Sequence, residues 1–300
     1  MRPQVRCTHD DFGDRCVRGW GAGWNGNVCP DGVSECANDG NGHGSHCAGT
    51  IGGTTWGVAK AVTIVGVQVL DAGGSGSWSD VVGGMDWVAA QKVADPSTPM
   101  VASMSLGGGA SSLIDTAVNN LNAAGVTVSV AAGNDNSDAC GYSPARAAVA
   151  VTVGSTTNTD ARSSFSNYGS CVDIYGPGSS ITSVGIGSDT ATDTLSGTSM
   201  ACPHVSGVLA LIQARVPSAT PAEATAILLQ KAISGVLTNG ANPNIMLNSN
   251  IGPMTQAPTA EGETWAPTGS PTPKPTGSPT EQPDGRHRRR LPTAAALHPG

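Results

Sequence analysis

Aromatic residues are scarce: three Tyr, two Phe and six Trp make up 4% of the 300 residues. A core of stacked rings is therefore excluded, and tight turns and small side chains must carry the packing. No stretch approaches eighteen consecutive apolar residues, so nothing in the sequence reads as a membrane-spanning helix. There is no basic excess either. A formal net charge of -7 disfavours nucleic acid and anionic membrane surfaces as partners. The eight cysteines include no zinc-type C-x-x-C pair. The chain also lacks a G-x-S-x-G turn around its candidate nucleophile, which argues against an esterase of the α/β-hydrolase kind.

What is present is a chain able to fill a core. Hydrophobic residues reach 38%, and the 41 glycines are about twice the usual share of ~7%. Apolar runs and amphipathic stretches alternate: strands at 62–70, 101–106 and 126–132, helices at 80–94 and 113–124. This rhythm predicts an α/β fold with a parallel sheet covered by helices on both faces. Near Gly252 the composition shifts to Pro, Thr, Ser and Gly, and P-T-G-S-P-T occurs twice, at 267–272 and 275–280. The expected organisation is one folded domain over 1–251 and an extended tail over 252–300. The basic cluster near the end reads as a solvated tail.

The decapeptide S-G-T-S-M-A-C-P-H-V at 196–205 carries the most chemistry. Val205, Val208, Leu209, Leu211 and Ile212 follow at helical spacing until Pro217, so Ser199 stands at the mouth of a helix. Unbonded N–H groups and a partial positive charge gather there. A serine at that place has part of an oxyanion hole in its own backbone. Read alone, S-G-T-S is a helix cap. Two other blocks change that reading. In G-N-G-H-G-S-H-C at 40–47, His43 lies between glycines. In S-V-A-A-G-N at 129–134, a small apolar strand ends at Gly133-Asn134, and strand ends face the ligand site in open α/β sheets.

In the order His, Asn, Ser, these blocks resemble the subtilisin-like serine proteases, in the proteinase K and aqualysin branch. G-V-A-K-A-V at 57–62, S-L-G-G-G at 105–109 and A-R-S-S-F-S-N-Y-G-S-C-V-D at 161–173 extend the resemblance over about residues 8–249. It implies a three-layer subtilisin-like fold with a mostly parallel central sheet. It also implies Ser199 as nucleophile, His43 as general base and acid, and Asn134 as oxyanion donor beside the Ser199 N–H. Ser105, Leu106 and Gly107 then bind the substrate backbone as an added strand. Ala131, Ala132 and Gly133 form a wall of a roomy specificity pocket, which implies broad, apolar-leaning endopeptidase activity on polypeptides. A structural Ca2+ is implied at Asp173 with the carbonyls of Ala148 and Ala150. A disulfide is implied between Cys140 and Cys171, and a free thiol at Cys47. Cys7, Cys16, Cys29 and Cys36 can pair in three ways. Cys202 reads as a small buried hydrophobe, His204 as a packed helix residue, and the H-x-x-H of His43 and His46 as no metal pair.

One element of the family pattern is missing. A Ser–His pair needs a carboxylate to orient the imidazole. The family supplies it from a D-[ST]-G block ending an apolar strand, upstream of the segment T-H-D-D-F-G-D-R at 8–15. Here M-R-P-Q-V-R-C precedes that segment, with neither the Asp nor the strand. Asp10, Asp11, Asp14, Asp31 and Asp39 all sit in polar, Gly-rich loop sequence, and Asp39 reads as a turn cap. The expectation is an N-terminally incomplete domain that lacks its first strand or strands, and a chain without a secretory leader that derives from a longer active protease. Two functions compete: an extracellular serine endopeptidase, or a catalytically impaired fragment that binds peptides. Disulfides imply an oxidising compartment. A monomer is expected, with a propeptide or protein inhibitor as partner.

Overall fold

The computed structural model describes residues 5–23, 27–29, 36 and 39–252. Residues 1–4, Asp31 and nearly all of the expected tail lie outside the described residues. In chain order the elements are β1 (Cys16–Gly21), β2 (Asn27–Val28), α1 (His43–Gly52), β3 (Ile64–Gln68), α2 (Trp78–Ala94), β4 (Val101–Met104), β5 (Gly108–Gly109), α3 (Ser112–Ala123) and β6 (Thr127–Ala131). Then follow β7 (Tyr142–Ser143), β8 (Val151–Thr156), β9 (Ile174–Pro177), β10 (Ile181–Val184), β11 (Thr192–Leu195), α4 (Thr198–Arg215), α5 (Pro221–Lys231), β12 (Ile233–Ser234) and β13 (Ile245–Met246).

The periodic segments fall where the sequence puts them, with shifted ends. Helix α2 begins at Trp78, two residues before the expected start, because Ser77 and Asp80 form a reciprocal capping box. The expected strand at 62–70 contracts to Ile64–Gln68. Helix α4 ends at Arg215, short of Pro217.

The central sheet runs β12-β13-β9-β8-β6-β4, parallel throughout except for the β12–β13 pair. Strand β6 is buried on both faces, which suits a covered parallel sheet. Its Val128 and Val130 join Val81 and Met85 of α2 and Ile114, Val118 and Leu121 of α3. On the opposite face Val151, Val153 and Ile174 pack against Val205, Val208, Leu209 and Ile212 of α4 and Leu228 of α5. The three layers are therefore α2/α3, sheet, and α4 with its neighbours.

A second sheet, β2-β1-β3, stands apart, with β1 and β3 parallel. Among the described residues no strand joins β3 to β4, so each ends its sheet with one unpaired edge. Val67 and Leu70, at the end of β3, nevertheless share one apolar cluster with Ala102 and Met104 of β4. The described strands thus form two sheets, β2-β1-β3 and the six-stranded one.

Candidate active site

His43 is the first residue of α1 because the chain turns sharply just before it. Gly42 takes φ 101°, a conformation that favours glycine. The cap comes from Asp39, whose Oδ1 accepts the N–H groups of Asn41 and Gly42 and whose Oδ2 accepts that of Ser45, each at 2.8 Å. Asp39 is thus a turn cap, as its sequence context implies. Burial pulls the His43 imidazole below its ordinary value of 6.5, against the smaller opposing effect of the Asp39 charge. The ring's Nε2 is buried without a partner. Its Nδ1 lies 4.0 Å from Cys47 Sγ, one helical turn on. Among the described residues no carboxylate is hydrogen-bonded to this ring.

Ser199 is the second residue of α4, in the turn whose N–H groups have no intrahelical acceptor. Its Oγ reaches toward the Ser105 carbonyl at 3.5 Å. Its own carbonyl accepts Ser105 Oγ–H at 2.8 Å and Cys47 Sγ–H at 3.3 Å. Burial pushes the Cys47 thiol up to about 12, so it stays protonated at neutral pH. The fold thus brings His43, Cys47, Ser105 and Ser199 to one place, between α1, α4 and the carboxyl end of β4.

Asn134 follows the carboxyl end of β6. Its Oδ1 accepts the Thr198 N–H at 2.8 Å, and Thr198 Oγ1 accepts the Gly133 N–H at 3.1 Å. With Oδ1 committed, the buried Nδ2 has no partner. A buried donor with no partner of its own can serve a developing negative charge. Two residues unassigned from sequence make this geometry. Thr198 clamps the 133–134 turn to α4. The fully buried Asn167 donates Nδ2–H to the Ala132 carbonyl and accepts the Asp135 and Ser137 N–H groups on Oδ1. The only hint in the sequence was that Asn167 falls inside the block at 161–173.

The proposed substrate segment lies between two paired stretches. The β4 ladder stops at Met104, and Gly108 and Gly109 already pair with Ser143 and Tyr142. Ser105, Leu106 and Gly107 remain between them. Leu106 sinks its side chain into the core, and Ser105 turns its hydroxyl to Ser199. Ala131 and Ala132 are buried in apolar clusters. Gly133 adopts φ 100°, and a Cβ there would collide with Asn167 Nδ2.

Cys140 and Cys171 are bonded, as are Cys7 with Cys16 and Cys29 with Cys36. Cys47 and Cys202 are free and buried. Cys202 Sγ rests near Ser129 Oγ and Ser103 Oγ, at 3.5 and 3.7 Å. His46 bonds the Ile181 carbonyl and His204 the Met200 carbonyl, each through one ring nitrogen. Asp173 Oδ2 accepts the Thr152 N–H at 2.8 Å, and a carboxylate is an oxygen donor of the kind a hard cation takes. Among the described residues no group of three His, Cys, Asp or Glu side chains is arranged to hold a metal. Nor is any described helix long and apolar enough to cross a membrane.

This geometry has counterparts. The profile of the Subtilase family matches residues 8–262. The chain is 54% identical over 245 residues to an extracellular serine proteinase of Thermus sp. (strain Rt41A), covering 81% of this chain and 57% of that protein. It is 50% identical over 235 residues to alkaline serine exoprotease A of Vibrio alginolyticus, covering 78% and 41% respectively. The chain therefore spans about half the length of the curated relatives it matches. The crystal structure of a cold adapted subtilisin-like serine proteinase superposes with a TM-score of 0.75 at 46% identity, over 83% of this chain and 86% of that one.

Proposed function

The chain belongs to the subtilase family, and on that premise we propose that it hydrolyses peptide bonds as a serine endopeptidase. Ser199 Oγ attacks the scissile carbonyl carbon while His43 Nε2 takes the hydroxyl proton. The oxyanion accepts hydrogen bonds from Asn134 Nδ2–H and the Ser199 N–H. As the C–N bond breaks, His43 returns the proton to the leaving amine. Water activated by His43 then hydrolyses the acyl-enzyme. The observation that carries this reading is the pair of buried, unpartnered groups, His43 Nε2 and Asn134 Nδ2, near the Ser199 segment. A biotinylated fluorophosphonate tests it. Mass spectrometry should find the label on Ser199, and its absence there after prolonged exposure overturns the reading.

A second reading, an attenuated enzyme that mainly binds peptides, draws on one observation. The nearby Asp39 spends its carboxylate on backbone amides rather than on His43. An imidazole without a carboxylate partner loses orientation and stabilisation of its charged form; in subtilisin, loss of the Asp costs about 3 × 10⁴ in turnover. Labelling of Ser199 without measurable cleavage of casein selects this second reading.

The small residues Ala131, Ala132 and Gly133 support a roomy pocket that accepts large apolar side chains. A strict preference for Lys or Arg in a peptide library would contradict it. Asp173 with the carbonyls of Ala148 and Ala150 would hold a structural Ca2+, supplying rigidity rather than chemistry. Chelation then lowers the melting temperature, and an unchanged melting temperature removes the site. The three disulfides and the extracellular relative support secretion. Polypeptides are the expected partners, together with a propeptide or protein inhibitor, and the enzyme is read as a monomer.

A further inference from the structure

The carbonyl of Ser199 lacks its ordinary helical partner. In an α-helix it accepts the N–H four residues on. That residue is Pro203, inside α4, and proline has no N–H. A buried carbonyl left unpaired is costly, so the donors found there matter. Both come from outside the helix. Cys47 Sγ–H arrives from α1 at 3.3 Å, and Ser105 Oγ–H arrives from the end of β4 at 2.8 Å. Ser105 also presents its own carbonyl to Ser199 Oγ. The peptide that follows the nucleophile is therefore held by two other elements of the fold where its own helix offers no i+4 donor.

We propose that Cys47 and Ser105 are positioning residues, which hold the Ser199 peptide in place of the helical bond that Pro203 removes. The proposal rests on the reading of Ser199 as nucleophile. Cys47 stands one turn after His43 on α1, so a single rigid helix carries both the base and one half of the clamp. A slide of α1 against α4 breaks the Cys47 bond as it displaces His43, and the clamp resists that slide. Cys47 acts as a donor and not as a nucleophile, in keeping with a thiol that burial keeps protonated.

The test uses the full chain with Cys47→Ala, Ser105→Ala, Cys47→Ser and Pro203→Ala. Two readouts are taken. The first is the infrared S–H stretch of Cys47, isolated by subtracting the Cys47→Ala spectrum. A hydrogen-bonded thiol absorbs at lower frequency than a free one, and the lowered band is expected. The second is the fluorophosphonate reaction at Ser199, separated into a limiting rate and a half-saturating concentration. Cys47→Ala and Ser105→Ala should each lower the limiting rate about tenfold with the half-saturating concentration unchanged. Cys47→Ser, which restores a donor, should recover most of it. In the Pro203→Ala background, where residue 203 again offers an N–H, the same two substitutions should have little effect. An S–H band at the free-thiol frequency overturns the proposal. So does an equal loss of rate with and without Pro203. Absence of any label on Ser199 in the unsubstituted chain instead overturns the nucleophile reading, and the infrared band still decides the contact.

Discussion

Asn134 uses the two ends of one amide for different purposes, and substitution can separate them. Its Oδ1 accepts the Thr198 N–H at 2.8 Å, while its Nδ2 stays buried and unpartnered. Asn134→Ala removes both. It orphans the Thr198 donor, at a cost of about 1–3 kcal/mol in folding stability. In the proposed mechanism it also removes one oxyanion donor, worth about 2.7–4 kcal/mol in the transition state, or about 10²–10³ in kcat. That second magnitude is the one established for subtilisin, a member of this family, and is carried over. Asn134→Asp keeps an acceptor for Thr198 but has no N–H at neutral pH. Denaturant unfolding should therefore place Asn134→Ala below the unsubstituted protein. Hydrolysis of a chromogenic peptide should show kcat reduced by at least about 10² in both, with KM changed by no more than about threefold. Two results refute the reasoning: an Asn134→Ala protein as stable as the unsubstituted one, or an Asn134→Ala enzyme that keeps its kcat.

Replacing Cys140 and Cys171 by Ser opens a loop with a sequence separation of 31. The chain-entropy argument puts the loss at roughly 3–4 kcal/mol, read as a melting temperature lower by about 10 °C. Because burial lowers the His43 imidazole from 6.5, the neutral base persists to lower pH than a free histidine. The acid limb of kcat/KM should then have its midpoint below 6.5, and a midpoint above 7 contradicts the assignment. Buried His46 is lowered as well, chiefly by desolvation, so the unfolded chain binds more protons than the folded one. Its contribution to stability is complete above 6.5 and is lost as pH falls through 6.5 toward the folded value, which urea melts across that window will register. Gly154 faces Tyr175, whose ring an added Cβ would overlap. Gly154→Ala should destabilise by about 1–3 kcal/mol in the same assay, and a neutral result would mean that the buried ring can move.

The layers of the fold were legible because they follow period and composition. Valines 128 and 130 alternate with Thr127, Ser129 and Ala131, and the strand needed no tertiary information to be read. Helix α4 was equally plain from its apolar spacing. What escaped were features that depend on partners distant in sequence. Asn167 looks like any loop asparagine until three backbone groups of the 132–137 turn converge on it. Ser105 belonged to a substrate segment by resemblance, yet its hydroxyl faces Ser199, because Pro203 leaves a carbonyl that needs a donor. The start of α2 was missed for a local reason: a polar Ser77–Asp80 pair sits outside the apolar period that located the helix. The first four cysteines left three pairings open, and only the placement of β1 against β3 and β2 decides for neighbours in sequence.

The seam between β3 and β4 bears on how the two sheets relate. Among the described residues no strand pairs with either wall of it, and backbone groups at such edges pair readily with a further strand. The side chains beside them are apolar: Val65 is 46% exposed, and Val101 and Ala102 are only partly covered. The seam is thus a place for one more strand, and a strand seated there would knit the two sheets into one.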